Sequence, residues 1–290
     1  MMIARIPEDE GSAAAGRTFG VIGSCRVHNP VQAMVKSARL KRVWREFNAF
    51  THGPMEALQY LRFARGEVDI PDSFAPYIFS VETTPQRDEA LAEAVRQIDF
   101  MIVEISSFAR LNCGLYEFQQ NYFSEHFVRR GGIDFLEWWR NVSQRNPAAV
   151  SSADQLVEMR RAGDKTLRPS EEEIVRTLQF REFTDDELIE RIMEMARDAS
   201  LPLILVPHFS FDTEDNPISA MRLRNRRVVK EAARHLGAGF FDPTDELLAY
   251  GREKALKNDG RDIYHYSPEF DAHVGSRILE VLPEVGYGMQ

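Results

Sequence analysis

Three short apolar runs constrain this chain more than any other feature: TFGVI (Thr18–Ile22), FMIVEI (Phe100–Ile105) and LPLILV (Leu201–Val206). Each is too short for a buried helix and too continuous for a strand with one wet face. Strands covered on both sides of a sheet read this way. Helical patterns separate them, so the expected class is α/β: a three-layer α/β/α fold with a mostly parallel sheet. Val43 to Phe47, Pro76 to Val81 and Phe240-Phe241 are further strand candidates. Helices are expected from Val31 to Leu40 with Pro30 at or before the first turn, from Pro54 to Arg65, from Leu91 to Ile98 and from Pro268 to Leu282.

Between about Leu111 and Ser200 the strand signal vanishes and helical signals take over. Ser151 or Ser152 is a candidate cap, Pro169 opens a helix, and Thr184 with Glu187 forms a capping box. The expected organisation is a loose tail at 1–17, an α/β core from 18–110 and 201–290, and a helical insertion at 111–200 placed to act as a lid. Trp138-Trp139 in the insertion reads as packing.

Composition narrows the function. A net charge of −9 argues against general nucleic-acid binding, which needs a basic face. No apolar run approaches the length of a membrane span. Two cysteines, Cys25 and Cys113, make no disulfide framework, so a reducing, cytoplasmic setting is expected. Their mutual pairing would require strict geometry.

In parallel sheets, function gathers beyond the carboxyl ends of strands. That rule groups Gly23-Ser24-Cys25, the Asn48–Gly53 turn, Ser106-Ser107, His208 and Asp242. Cys25 precedes a helix, where free N–H groups and the helix dipole favour a thiolate and an oxyanion. Ser24 is the competing nucleophile, and packing of a small buried Cys is the bland alternative. Arg26 is placed to favour the thiolate or to bind an anionic substrate group. In Asp262-Ile263-Tyr264-His265, a histidine base has an acid three residues earlier to orient it. His208 is a substrate contact or a structural histidine. Asp271 and His273 lack the company of a metal cluster, so no metal is expected. The Arg222, Arg224, Arg226 and Arg227 stretch spreads around a helix. A solvated surface is its first reading, and a contact to a phosphate-bearing donor or polyanionic glycan its second.

FGVIGSCRVHNP and DIYHYSPEFDAHVGSRIL resemble the first and last blocks of the SGNH, or GDSL-like, hydrolase superfamily. The Gly-Ser-Cys form is closest in motif to its GSCFA branch and to polysaccharide-modifying acetyltransferases, and FNAFTHGPMEAL resembles their second block. The resemblance covers Thr18 to Asn112 and Leu201 to Leu282. It implies Cys25 as nucleophile, His265 as base and Asp262 as orienting acid. It also implies an oxyanion hole from the Cys25 and Gly53 N–H groups and a polar side chain after FMIVEI. At that third position the family usually has Gly-x-Asn-Asp, whereas this chain has Glu104-Ile105-Ser106-Ser107, with Asn112 further on.

The leading expectation is an acyl-transfer enzyme, an esterase or O-acyltransferase acting on a carbohydrate or other small hydroxylated molecule. It has no tightly bound cofactor, and acyl-CoA is a candidate co-substrate. A thiolate beside a histidine attacks thioesters well. The alternative is a non-catalytic glycan-binding protein on the same scaffold. A metal-dependent phosphoesterase using Asp262, His265, Asp271 and His273 is a third reading. The sequence assigns no oligomeric state.

Overall fold

A computed structural model describes residues 18–36, 41–42, 49–87, 89–146, 149–163, 166–210 and 217–281. The expected tail at 1–17, the Val43–Phe47 strand and Asn48 lie outside the described residues. Among those described there are nine strands: β1 Thr18–Gly23, β2 Lys41–Arg42, β3 Ala49–Phe50, β4 Phe100–Ile105, β5 Ala109–Cys113, β6 Tyr116–Glu117, β7 Leu178–Glu182, β8 Leu203–Pro207 and β9 Gly239–Phe240. The main sheet runs β2-β1-β4-β8-β9, with β3 also on β1, and every pairing in it is parallel.

The sheet is covered on both faces, as the uninterrupted apolar runs require. Alternate side chains along β4 go to opposite cores. Phe100 and Ile102 pack with Val27 and Val31 of the Cys25–Lys36 helix and with Phe270 and Val274 of the Pro268–Glu280 helix. Met101, Val103 and Ile105 pack with Leu58 and Leu61 of the Pro54–Ala64 helix, Leu188 and Ile192 of Asp185–Ala199, and Val228 and Val229 of Pro217–Leu236. The fold is therefore a three-layer α/β/α arrangement.

Four local expectations are corrected. The first helix starts at Cys25, so Pro30 lies inside it; Ser24 makes this possible by capping, its Oγ accepting from the Arg26 N–H at 3.2 Å. Pro76 to Val81 is no strand: Pro76 sits in the first turn of a short helix, Ala75–Ile78, and the chain then turns at Ser80 with φ of +59°. The helix expected to be capped by Ser151 or Ser152 already begins at Ala149. Strands do occur between 111 and 200, because β6, β5 and β7 form a small antiparallel sheet.

That small sheet and its helices enclose a third core, rich in aromatics. Phe118, Phe123, Phe127 and Trp138 pack edge-to-face or stacked, with Phe63 of the Pro54–Ala64 helix joining them. Trp138 is fully buried, and Trp139 lies against Phe123 and Phe180. The expected capping box is present: Glu187 N–H donates to Thr184 Oγ1 at 3.2 Å, and Thr184 N–H to the Glu187 carboxylate at 2.8 Å.

Candidate active site

The site is built where β1, β3, β4 and β8 end. At the tip of β1, Gly23 has no room for a side chain. A Cβ there would lie 2.6 Å from both the Glu104 Cβ and the Val27 Cγ2. The absence of a side chain lets the chain turn tightly against β4 and start a helix at Cys25. Glu104, fully buried on β4, then organises the turn. It accepts the Ser24 N–H at 2.7 Å and forms a two-nitrogen pair with Arg26, at 2.8 Å from Nε and 2.6 Å from the terminal nitrogen. Burial alone would raise the Glu104 pKa. The Arg26 guanidinium and the Ser24 donors outweigh it and hold the carboxyl below its usual range.

This arrangement gives Ser24 and Arg26 structural partners at the helix start. Ser24 is buried and holds the helix start through its side chain, N–H and C=O. Arg26 pairs with Glu104 and also lowers the thiol pKa of Cys25, in the direction expected of it. Cys25 is half-buried, and its thiol pKa is raised. Removal from water is the main cause; Arg26 opposes it, while Glu104 and Asp271 add to it. In the free protein Cys25 therefore favours the thiol over the thiolate that helix position alone suggests. Cys113 is buried elsewhere, its sulfur 3.2 Å from the Thr177 hydroxyl, and both cysteines are free.

The last element of the site is a short loop. Asp262 accepts the Tyr264 and His265 N–H groups at 3.0 and 3.2 Å, and its two oxygens lie 3.0 and 2.9 Å from His265 Nδ1. What burial Asp262 has works to raise its pKa. The Tyr264 N–H and the His265 contacts prevail and lower it. With Nδ1 held by the carboxylate, Nε2 of His265 is left for chemistry, and the ring is half exposed. Ser267 fixes the loop, donating to the Lys254 carbonyl at 2.6 Å and capping the next helix through the Phe270 N–H at 3.2 Å.

The two halves meet through their helices. The Cys25–Lys36 and Pro268–Glu280 helices pack so tightly that a Cβ on Gly275 would lie 2.4 Å from the Pro30 carbonyl oxygen. Asp271, on the second helix, bonds Asn29 on the first and acts electrostatically on Cys25; burial pushes its pKa up to about 7.

A cavity of about 280 Å³ opens beside sequence neighbours of both halves, though Cys25, Asp262 and His265 are not themselves among its lining residues. Arg26 and Tyr264, the neighbours of Cys25 and His265, both line it, as do Ser106, Ser107 and His208. Among the other lining residues, Glu56 and Asn121 are assigned no role by the sequence, His52 is marked only as part of the Asn48–Gly53 turn, and Arg222 only as one of the arginine stretch. Arg222 corrects the solvated-surface reading of the arginine stretch. It is buried, donates to the Ile263 carbonyl at 3.2 Å, and stacks over Phe209 and Tyr264. Burial, then Arg26, lowers its pKa to about 10. Arg224, Arg226 and Arg227 instead pair with Asp185, Asp242 and Asp245. His208 is buried and uncharged, its Nδ1 2.8 Å from the Phe209 carbonyl and its pKa held well below the usual value by burial and the two arginines.

Gly53 also stands differently from the role the resemblance implies. It is the N-cap of the Pro54–Ala64 helix, and its N–H and that of His52 are both bonded to the Glu56 carboxyl group, the latter at 2.8 Å. Enclosure pushes Glu56 up to about 8 in spite of those donors. His273 pairs with Glu246 at 2.7 Å, away from Asp262, and no cluster of metal-ligating side chains is found among the described residues. No described helix is long and apolar enough to cross a membrane.

A sequence model described as the TviD N-terminal domain matches residues 17–281. The chain is 25% identical over 274 residues to the Vi polysaccharide biosynthesis protein TviD of Salmonella typhi, covering 91% of this chain but 31% of that protein. The chain thus spans about a third of its relative's length. Similar solved structures include a candidate SGNH hydrolase from Slackia heliotrinireducens, with a TM-score of 0.40 and 13% identity over 92% of this chain and 98% of that one. Another is the acetylxylan esterase Axe2 of Geobacillus stearothermophilus, with a TM-score of 0.39 and 14% identity over 96% and 97%.

Proposed function

This chain belongs to the TviD N-terminal domain family, and from that premise we propose that it is an acyl-transfer enzyme, an esterase or O-acyltransferase, acting on a carbohydrate hydroxyl through Cys25, His265 and Asp262. The observation that carries the reading is the Asp262–His265 pair. A carboxylate on Nδ1 fixes the ring with Nε2 outward, and the loop leads into a helix packed on the one that Cys25 opens.

In this mechanism His265 takes the Cys25 proton as sulfur attacks the acyl carbon. A C–S bond forms, and the carbonyl electron pair moves onto oxygen. Collapse restores the carbonyl and expels the alkoxide, or the thiolate of an acyl-CoA, which takes the proton back from His265. A sugar hydroxyl or water then loses its proton to His265 and attacks the thioester, releasing Cys25. The Cys25 N–H, in the first helical turn, lacks an intrahelical acceptor and in this mechanism donates to the oxyanion. Arg222 offers a cationic donor to substrate, whereas His208, whose ring hydrogen is committed to the Phe209 carbonyl, offers an acceptor at Nε2. The name of the TviD relative supports a polysaccharide as acceptor substrate. Two free thiols suit the cytoplasm.

Intact-mass analysis after incubation with p-nitrophenyl acetate and with acetyl-CoA tests the reading. One acetyl group is expected on Cys25 and none in Cys25→Ala. Asp262→Asn should slow acylation by about 100- to 10,000-fold through loss of ring orientation. Unchanged turnover by Cys25→Ala would sink the mechanism.

A second reading, glycan binding without catalysis, is favoured by the raised pKa of Cys25 and the occupied Gly53 N–H. It predicts that His265→Ala retains glycan binding and that wild-type protein takes up no acetyl group.

A further inference from the structure

Acyl transfer of this kind needs donors aimed at the developing oxyanion, and most backbone candidates near Cys25 are already taken. Glu104 accepts from Ser24, and Glu56 from His52 and Gly53. A side-chain donor is therefore needed, and the cavity wall contains one with an unusual support.

Ser106 follows β4 directly. The Ser106 and Ser107 N–H groups both donate to the His52 carbonyl at 2.9 Å, locking this corner to the His52 backbone. The His52 ring then lies between two side chains: Nδ1 is 3.1 Å from Ser106 Oγ, and Nε2 is 3.1 Å from the Asn121 amide nitrogen. All three residues line the cavity. An amide nitrogen only donates, so Nε2 must accept. In a neutral ring that places the hydrogen on Nδ1, which donates to Ser106 Oγ. Burial lowers the His52 pKa to about 4, with Arg26 adding to the effect against Glu104, so the ring is neutral at physiological pH. Ser106 Oγ thus accepts from within the wall and keeps its own hydrogen to give away. Ser107 has a different task, its Oγ accepting the Ala109 N–H at 2.9 Å to hold the turn.

We propose that the Ser106 hydroxyl is the side-chain donor to the acyl oxygen during attack by Cys25, and that His52 and Asn121 are positioning residues that direct its hydrogen into the cavity. The inference rests on the acyl-transfer reading above. Ser106 supplies the donor that the resemblance would assign to an asparagine. No proton leaves Ser106 in the step: a hydrogen bond strengthens as the carbonyl oxygen gains charge and relaxes when the thioester forms.

Single-turnover acetylation of Cys25 by p-nitrophenyl acetate, followed by intact mass, tests this. Ser106→Ala should lower the maximal acylation rate by about 100- to 1,000-fold with half-saturation unchanged, while Ser106→Thr, which keeps the hydroxyl, stays within about tenfold of wild type. His52→Ala should slow the same step, yet cost little more in a Ser106→Ala background, because it acts through that hydroxyl. Nitrogen-15 NMR of histidine-labelled protein, assigned with His52→Gln, should find His52 in the Nδ1–H form. Wild-type acylation rates in Ser106→Ala, additive losses in the double variant, or an Nε2–H ring each overturn the proposal. Failure of the wild-type protein to acylate at Cys25 overturns the underlying reading as well, and the ring tautomer distinguishes the two failures.

Discussion

At the scale of single residues, the site depends on which charges are already spent. Arg26 favours ionisation of Cys25, but burial outweighs it, and Glu104, paired with that guanidinium, and Asp271, on the neighbouring helix, both work against ionisation. The sign of the pH dependence follows. A thiol pKa above its ordinary value means that alkylation, which uses the thiolate, is slow at neutral pH and is still climbing above pH 9. Asp271 is largely ionised above about pH 7, so Asp271→Asn removes a negative charge there. It should move the Cys25 alkylation profile to lower pH. Iodoacetamide labelling rates measured from pH 6 to 10 check this, and superimposable profiles would contradict the assigned cause. Residues of this kind are hard to read from a sequence. Arg222 looks like one of four arginines on a wet helix, and only packing against Phe209 and Tyr264 singles it out. His52 and Glu56 sit in a turn whose spacing shows a helix start but not what lies across it.

At the scale of elements, strands covered on both faces and loops with strong turn chemistry are legible. FMIVEI and LPLILV can only be buried strands, and Thr184 with Glu187 can be read directly as a cap. Strands β5 and β7 (ARLNC and LQFRE) are mixed in polarity because they pair in a small sheet at the margin of the aromatic core, where neither face is wholly apolar. The Pro76–Val81 run has strand-like composition, but Pro76 suits a helical first turn. One element contact has a direct functional reading. Gly275 lets the two site-bearing helices touch, so Gly275→Ala must push them apart. Overpacking of this type costs about 1–3 kcal/mol. Urea denaturation should report that loss, and, on the acyl-transfer reading, Cys25 acetylation should fall further than stability alone explains, because the helix that Cys25 opens shifts relative to the one that follows the His265 loop. A variant of unchanged stability and rate would contradict the packing.

At the scale of the whole molecule, the two sheet cores are joined through the strands between them, and one shares a helix with the aromatic core. The Pro54–Ala64 helix puts Leu58 and Leu61 into the sheet core and Phe63 into the aromatic one, while its first turn carries the Glu56 wall of the cavity. The region between 111 and 200 therefore should not melt by itself. Calorimetry of the chain should give one cooperative transition. Trp138→Ala, a large-to-small change costing about 3–5 kcal/mol, should lower that single transition instead of splitting off a second. Two separate transitions would show that the aromatic core stands alone.

The packing of the Cys25–Lys36 helix on the Pro268–Glu280 helix also bears on biogenesis. On the acyl-transfer reading, a nascent polypeptide emerging from the ribosome holds its sulfur early but gains the imidazole partner only after nearly all of the domain has been translated. Until that final docking event the sulfur is an ordinary, unactivated thiol. The chain therefore cannot consume activated metabolites during its own synthesis, and reactivity arrives together with the completed fold.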